Sequence, residues 1–481
     1  MADAIRLLSD EEVQRFVVDG CMTVQADYPQ SFHASIYDQI ETVFEEEGNQ
    51  GNNILPRIPQ IGRVFEHPNV KGALTSLLGP GYIMNPHRHC HLNPPGRNGQ
   101  RWHKDCYVYD HNVRHPHFYW VLAFYFPQDT TDDMGPSGVL PGMQMYKTIS
   151  DPNPAQTEET ARAFSGPAGT VAIIHFDSWH RATENVSDKK RYMLKFQFAR
   201  IQEPQSPTWD YKSSVWSLDI DDRHPAISKD TWRWLCGEHE AVREEKSDGK
   251  TDELLGILRD GAERERLDAA HELVGYGSEA VPGLIEAMKE ETLATIDETE
   301  AKTPDNAHGT NPTVGCAALA LAAIGGSAVS ALVESLSHEH WWVRAVSANV
   351  LARIGASAGG AELALRNAMK DEYWWVRRNA VEALGALGAF SSELVGELTV
   401  ALGDEDYRVR RNAALTLAKY GDASEGAVDS LAVMLDDENR YNRFYAAFVL
   451  KQIGTPAAQD VLFNTLFNAR WCPITTKDNL Y

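Results

Sequence analysis

From Val343 to Gly454 the chain repeats itself every 33 residues, and that periodicity constrains its fold more than any other feature. Val343-Arg344 through Ile354-Gly355, Val376-Arg377 through Leu387-Gly388 and Val409-Arg410 through Tyr420-Gly421 are successive copies. Asn442-Arg443 through Ile453-Gly454 is a further copy that keeps the step and loses the valine. Weaker copies end at Gly277 and Gly325, their spacing stretched by a polar insert from Glu291 to His308. Within each copy Ala and Leu recur with a helical period, and a closing Gly is the expected helix C-cap. A helix pair this short cannot bury its own apolar face, so it stacks on its neighbours as a solenoid.

The first half shows no such repeat. At 481 residues the chain exceeds what one hydrophobic core organises, which predicts at least two domains. A net charge of −23 argues against a surface that grips nucleic acid or anionic lipid. The six cysteines, Cys21, Cys90, Cys106, Cys236, Cys316 and Cys472, lie far apart with no C-x-x-C pair, so neither a zinc ribbon nor a disulfide framework is indicated. No stretch approaches the apolar length of a membrane span, and the N-terminus lacks a charged-then-apolar signal region. These features place the chain in a reducing cytoplasm.

Ser9-Asp10-Glu11-Glu12 is a capping box ahead of Val13, Phe16 and Val17, predicting a helix that ends at Asp19-Gly20 before a strand over Cys21–Val24. An amphipathic helix is expected from Phe32 to Glu45. From about Tyr82 the pattern turns to short strand-like runs broken by Pro and Gly, notably Phe118–Phe126, Thr170–Phe176 and Tyr192–Phe198. Many short strands suggest a jelly roll or another double-sheet fold. The charged stretch after Gly237 marks the boundary. The expected domains are therefore 1–237, a linker at 238–252, the solenoid at 253–468 and a tail at 469–481.

Two segments carry candidate chemistry. In Trp102-His103-Lys104-Asp105, strand geometry puts His103 and Asp105 on one face, where an imidazole and a carboxylate can take neighbouring positions on one metal. In Gly169 through His180 an apolar strand ends in a polar cluster that can deliver a third ligand. Two histidines and a carboxylate make the facial triad of non-haem Fe(II) oxygenases. His175-x-Asp177 is a second run of the same type and a rival ligand source. Arg191, near the start of the next strand, can hold a distal carboxylate in a bidentate pair.

Taken together these segments resemble the phytanoyl-CoA dioxygenase family over about residues 5–205. Leu8 through Phe16 with Asp19-Gly20 is similar to the family's first helix, and Trp102-His103-Lys104-Asp105 to its proximal metal motif. Gly135-Pro136 through Leu140-Pro141-Gly142 resembles its central turn, and His180 through Asn185 with Arg191 its distal motif. The resemblance implies that His103, Asp105 and His180 bind Fe(II). It implies further that Arg191 pairs with the C5 carboxylate of 2-oxoglutarate and that O2 is the second cosubstrate. The small hydroxyl residue often found two positions after the distal histidine is here Ala182, and Thr183 is the candidate substitute. Met134, Met143 and Gln144 also depart from the family's central turn. The repeats, over roughly 252–468, resemble HEAT-like units of the kind first associated with phycobilisome lyases.

The whole is thus expected to be a multidomain α+β protein: a double-stranded β-helix (jelly-roll, cupin-like) oxygenase domain followed by an all-α HEAT-like solenoid. The implied activity is hydroxylation of a small or medium organic molecule with release of succinate and CO2. Two alternatives stand beside it: a protein or peptide hydroxylase whose solenoid recruits its substrate, and a non-catalytic scaffold that only binds ligand. His89 and His91, with His87, share one strand face as candidate pocket walls, and Tyr107 and Trp179 are candidate lining residues; Tyr109 and Trp120 are better suited to core packing. On the solenoid, Trp341-Trp342, Trp374-Trp375, Tyr407 and Tyr441 recur beside Arg344, Arg377, Arg410 and Arg443. That row fits either a protein partner or packing with carboxylate pairing, and the second reading is favoured.

Overall fold

The Ser9–Glu12 signal nucleates the first helix as expected. Ser9 Oγ accepts the Glu12 backbone N–H, and the Glu12 carboxylate accepts the Ser9 N–H at 2.8 Å. This helix, α1 (Asp10–Asp19), ends at Gly20 in the left-handed conformation and leads into β1 (Cys21–Gln25). The computed structural model describes residues 4–105, 115–147, 161–238, 249–294, 315–388 and 390–468. Residues 4–105 and 116–237 form one compact unit, and residues 249–468 another.

In the first unit α2 (Gln30–Glu46) is followed by α3 (Ile54–Arg57), α4 (Gln60–Glu66) and α5 (Pro68–Leu78). The strands are β2 (Ile83–Asn93), β3 (Trp120–Tyr125), β4 (Ser137–Val139), β5 (Arg162–Ala163), β6 (Thr170–His175), β7 (His180–Ala182) and β8 (Arg191–Ala199), and α6 (Pro225–Leu235) closes the unit. One sheet has the order β1-β6-β3-β8-β2 and the other β5-β4-β7, with antiparallel pairing throughout. Every residue of β3, β6 and β8 is buried. On β8, Tyr192, Leu194, Phe196 and Phe198 join Phe16, Ile36, Phe65 and Leu74 of the helices in one apolar core. The alternate residues, Arg191, Met193, Lys195 and Gln197, necessarily project from the other face. Helices α3 to α6 were not anticipated. Helix α4 follows Pro59, whereas α5 and α6 begin at Pro68 and Pro225, prolines suited to the first helical position.

In the second unit the repeat glycines do what the spacing requires. Gly355, Gly388, Gly421 and Gly454 have φ of 68°, 69°, 56° and 66°, a region that L side chains rarely adopt. The helices they close, Trp341–Ile354, Trp374–Leu387, Tyr407–Tyr420 and Arg440–Ile453, stack in register. The arginine row is the stitching between copies. Arg344, Arg377 and Arg410 pair with Asp371, Asp404 and Asp437 of the next repeat at 2.7–2.8 Å. Each also donates from Nη1 to two carbonyls at the end of the preceding turn. Trp342 and Trp375 are buried, whereas Trp341 stacks on Tyr373 and Trp374 lies under the Arg408 guanidinium, 3.6 Å from its ring centre. The arginines therefore serve packing and carboxylate pairing.

Two expectations need correction. The helix Thr251–Asp260 begins inside the stretch assigned to the linker, because Asp252 and Glu253 sit in its first turn, where a helix favours acidic residues. Contrary to the expectation that no run is apolar enough, Cys316–Ser335 has the length and composition to cross a membrane, with a mean hydropathy of 2.1. Gly325, at φ 81°, divides that run into the helices Cys316–Ile324 and Val329–Ser335, and Ala317, Ala320, Leu321 and Leu332 are buried in the solenoid. Of its 18-residue apolar window 33% is buried.

Replacing Arg377 with Ala is expected to destabilise the solenoid by about 3 kcal/mol, since a largely buried carboxylate loses its partner. Arg443 is exposed and reaches only the Asp437 and Glu438 carbonyls, so Arg443→Ala should cost about 1 kcal/mol or less. Urea unfolding of the full chain, followed by circular dichroism, measures the difference.

Candidate metal centre

The two histidines are joined by the backbone itself. His103 donates its N–H to the His180 carbonyl at 3.1 Å, and His180 returns the bond to His103 at 3.0 Å. His180 opens β7, which β4 holds through the Val139–His180 pair. Residues 101–105 make only this bridge rather than a longer strand, yet the pairing still sets the imidazole rings 4.6 Å apart. Two positions on, Asp105 completes the group. One ligand atom from each of His103, Asp105 and His180 lies within 4.8 Å of the others, the one such group found among the described residues.

The protonation pattern suits a cation. His103 Nδ1 faces the Arg101 carbonyl at 2.9 Å and His180 Nδ1 the Ser178 carbonyl at 3.0 Å. In a neutral ring the nitrogen that faces a carbonyl carries the proton, which leaves the lone pair on Nε2. Burial holds His180 down to about 4, which keeps it neutral near pH 7. Its Nε2 lies 3.7 Å from Asp105 Oδ2.

The residue between the ligands anchors them. Lys104 points the opposite way, into a buried pair with Asp177 at 2.7 Å and a bond to the Gln144 carbonyl at 3.0 Å. The rival run is thereby occupied elsewhere: Asp177 holds Lys104, and His175 Nδ1 accepts the Asp177 backbone N–H at 3.1 Å.

Arg191 opens β8 and is 1% exposed. Its Nε and Nη2 both donate to the Gly135 carbonyl, at 3.0 and 2.7 Å. Burial, with Arg97 nearby, pulls the guanidinium down to about 10, so it stays charged at neutral pH. Among the described residues no carboxylate pairs with it, so it is a buried cation in want of an anion. The Gly135–Pro136 turn exists for this clamp: Gly135 has φ 67°, and a Cβ there would meet the Thr183 carbonyl at 2.6 Å and the Asn185 N–H at 2.9 Å.

The phytanoyl-CoA dioxygenase (PhyH) family matches residues 12–193, and the HEAT repeat family matches residues 362–443. Residues 12–193 form a PhyH family domain. No curated protein matches the chain. Similar solved structures include the non-heme alpha-ketoglutarate-dependent carbocyclase SnoK of nogalamycin biosynthesis, at 18% identity over 40% of this chain and 85% of that one, with a TM-score of 0.34. AviO1 from Streptomyces viridochromogenes Tue57 is 16% identical over 40% and 95%, with a TM-score of 0.33. The epimerase SnoN of nogalamycin biosynthesis is 14% identical over 40% and 80%, also at 0.33.

The remaining candidates in the PhyH domain are placed as follows. Thr183 Oγ1 donates to the Pro136 carbonyl at 2.7 Å, so its hydroxyl proton is committed. Trp179 Nε1 donates to the Tyr146 carbonyl at 3.0 Å, and Lys104 Nζ lies 5.5 Å from its ring centre. Trp120 is buried against Phe176. His89 and His91 share a face of β2 with rings 4.5 Å apart. His87 falls where the β2–β8 register shifts, between Met84 and Arg88, and leaves the ladder. Tyr107 and Tyr109 lie outside the described residues. A cavity of about 140 Å³ lies elsewhere in the unit, lined in part by Phe16, Phe118, Gln144, His175 and His224, and no triad residue borders it.

Two residues escaped the sequence reading. Lys195 Nζ donates to Asp105 Oδ2 at 2.8 Å inside the domain. Its only sequence signal was a lysine in an otherwise buried strand four positions after Arg191. Asn93 faces Arg191 across the β2–β8 ladder and donates to the same Gly135 carbonyl at 3.0 Å.

Lys104→Met should weaken divalent metal binding by about tenfold or more, because the strut that orients both neighbouring ligands is lost. Titration with Co(II), followed by visible absorbance, reads this directly. Gly135→Ala should destabilise the protein by about 1–3 kcal/mol through strain at positive φ, measured as a lowered thermal midpoint.

Proposed function

We propose that the PhyH domain is an Fe(II)- and 2-oxoglutarate-dependent dioxygenase that hydroxylates a small or medium organic molecule. The observation that carries this reading is the convergence of one ring nitrogen from each of two histidines and a carboxylate oxygen within 4.8 Å, beside a buried arginine with no carboxylate of its own among the described residues. In this reading residues 1–237 are the oxygenase domain, the linker runs from 238 to the helix that opens at Thr251, the solenoid follows to 468, and 469–481 are a tail. The two sheets are then the halves of a double-stranded β-helix.

The donor set fits Fe(II): two imidazoles and one carboxylate would take one face of an ion and leave the opposite face open. When bound, iron with 2-oxoglutarate and O2 supplies an oxidant strong enough to hydroxylate a C–H bond. One oxygen atom of O2 ends in the product hydroxyl and the other in succinate, while C1 of the cosubstrate leaves as CO2. His103, Asp105 and His180 hold the metal. Arg191 takes the C5 carboxylate in a charge-assisted pair and thereby sets the cosubstrate's orientation. The bonds from Arg191 to Gly135 preorganise the guanidinium, so little rotamer freedom is lost on binding. Lys195 holds the Asp105 carboxylate in place and offsets its charge.

Addition of 2-oxoglutarate to the Fe(II)-loaded protein without oxygen should produce a visible charge-transfer band. Arg191→Ala should weaken cosubstrate binding at least tenfold, and Asp105→Ala should alter or abolish the band. A fully iron-loaded wild type that shows no band would sink the oxygenase reading.

A further inference from the structure

The cavity of about 140 Å³ in the PhyH domain plays no part in the proposed chemistry, and its construction points to a ligand of its own. Two irregular segments, 141–145 and 221–224, meet the C-terminal half of α1 around it. Pro225, at the first position of α6, fixes where the second segment ends. Phe16, Phe118, Pro141 and Ile227 supply apolar wall, and Gln144, Asp222 and Arg223 supply polar groups, a mixture usual for small-molecule sites. A space of this size takes a ligand of about six non-hydrogen atoms.

Two acceptors on this wall have no donor among the described residues. Gln144 is 7% exposed, and its Nε2 donates to the Val17 and Val18 carbonyls at 3.2 and 3.1 Å. Turning the amide over would set its oxygen against both carbonyls, so these contacts fix its orientation. Its Oε1 is then buried with no hydrogen-bond partner. Asp222 Oδ1 accepts the His224 backbone N–H at 2.9 Å, whereas Oδ2 is buried and unpartnered. Such acceptors are costly, a carboxylate oxygen more than an amide one, and they persist where a bound group completes them. Donors on the same wall are turned to other acceptors. Arg223 Nη1 donates to the Pro141 carbonyl at 2.8 Å, Thr231 Oγ1 donates to the Ile227 carbonyl at 3.0 Å, and His224 Nε2 faces the Tyr146 hydroxyl at 2.8 Å. Charge agrees with this. Asp19 pairs with Arg162 at 3.1 Å, which leaves Asp221 and Asp222 on the lining beside a single guanidinium, Arg223.

We propose that this cavity binds a small primary ammonium whose short carbon chain carries a second hydrogen-bond donor. The ammonium pairs with Asp222 Oδ2 in a charge-assisted bond. A hydroxyl or amine at the other end donates to Gln144 Oε1, and the chain lies along Phe16, Phe118 and Ile227. A carboxylate ligand would bring a like charge to Asp222, and a neutral alcohol forfeits the charge-assisted bond. No triad residue borders the cavity, so this site is separate from the metal centre and does not rest on the oxygenase reading.

The test uses the full chain in EDTA at physiological salt, so that neither a metal nor the acidic surface captures the amine. The probes are 4-amino-1-butanol, 1,4-butanediol and 4-hydroxybutyrate, followed by saturation-transfer NMR titration. The amino alcohol is expected to bind with a Kd on the order of 1 mM, at least about tenfold more tightly than the diol or the acid. Asp222→Asn should remove that preference. This variant keeps Oδ1 for the His224 N–H, so the local fold is preserved. Ile227→Phe, which fills the cavity from its apolar side, should weaken the amino alcohol at least about fivefold. If Ile227→Phe does not fold, Asp222→Asn decides alone. Four results would each overturn the proposal: no saturable binding of the amino alcohol, as a cavity filled by water alone would give; equal binding of the diol or the acid; an unchanged preference in Asp222→Asn; or full affinity in a folded Ile227→Phe.

Discussion

The candidate site depends on one reciprocal pair of backbone hydrogen bonds, between His103 and His180. Side chains can turn, but a two-way backbone bridge fixes both Cα positions and both Cβ directions at once. Everything else in the constellation hangs from that pair. Asp105 follows His103 at a strand-like spacing, and Lys104 between them is driven the other way into Asp177. The β4–β7 pairing holds His180 from behind. Imidazole nitrogens tied to carbonyls then leave the inward-facing lone pairs available, which is the electronic state a divalent cation needs.

A second constraint is burial of charge. Lys195 and Arg191 are buried and the Lys104 side chain is 5% exposed, and each is held in a different way. Lys104 has a full carboxylate partner and a carbonyl, the satisfied case, and acts as a strut. Lys195 shares Asp105, whose carboxylate also faces the metal position. Among the described residues Arg191 meets only a peptide carbonyl, Gly135, which is partial compensation for a full charge. The ordering from satisfied to unsatisfied runs from framework to ligand site, as desolvation costs require. In the solenoid the same chemistry serves construction alone, with every copy of the Arg344, Arg377 and Arg410 ladder meeting the next repeat's aspartate.

Much of this was legible in the residues. The 33-residue step gave the helix-pair solenoid, and the glycines closing each copy are at positive φ because only that conformation reverses the chain there. The capping box at Ser9 and the strands ahead of His180 and at Arg191 also follow from local pattern. Helices α3 to α6 did not: α3 and α4 are too short to show a period, and α5 and α6 open on prolines that read as strand or turn breakers. The break in β2 at Asn85-Pro86-His87 was hidden too, since alternating histidines look continuous until the register against β8 is known.

The sequence by itself determined the candidate ligand types, the repeat and the choice of glycine where the backbone turns left-handed, because these depend on side-chain chemistry and local sterics. Only the tertiary structure decided which carboxylate meets which cation. His103 and His180 come together through a bridge between distant segments, and Asp177 is excluded from the triad by Lys104. Lys195 and Gln197 become interior groups solely because Tyr192, Leu194, Phe196 and Phe198 claim the opposite face of β8 for the core. Period-two geometry makes that assignment absolute once one face is buried, and no local signal around Lys195 or Gln197 reveals which face that is.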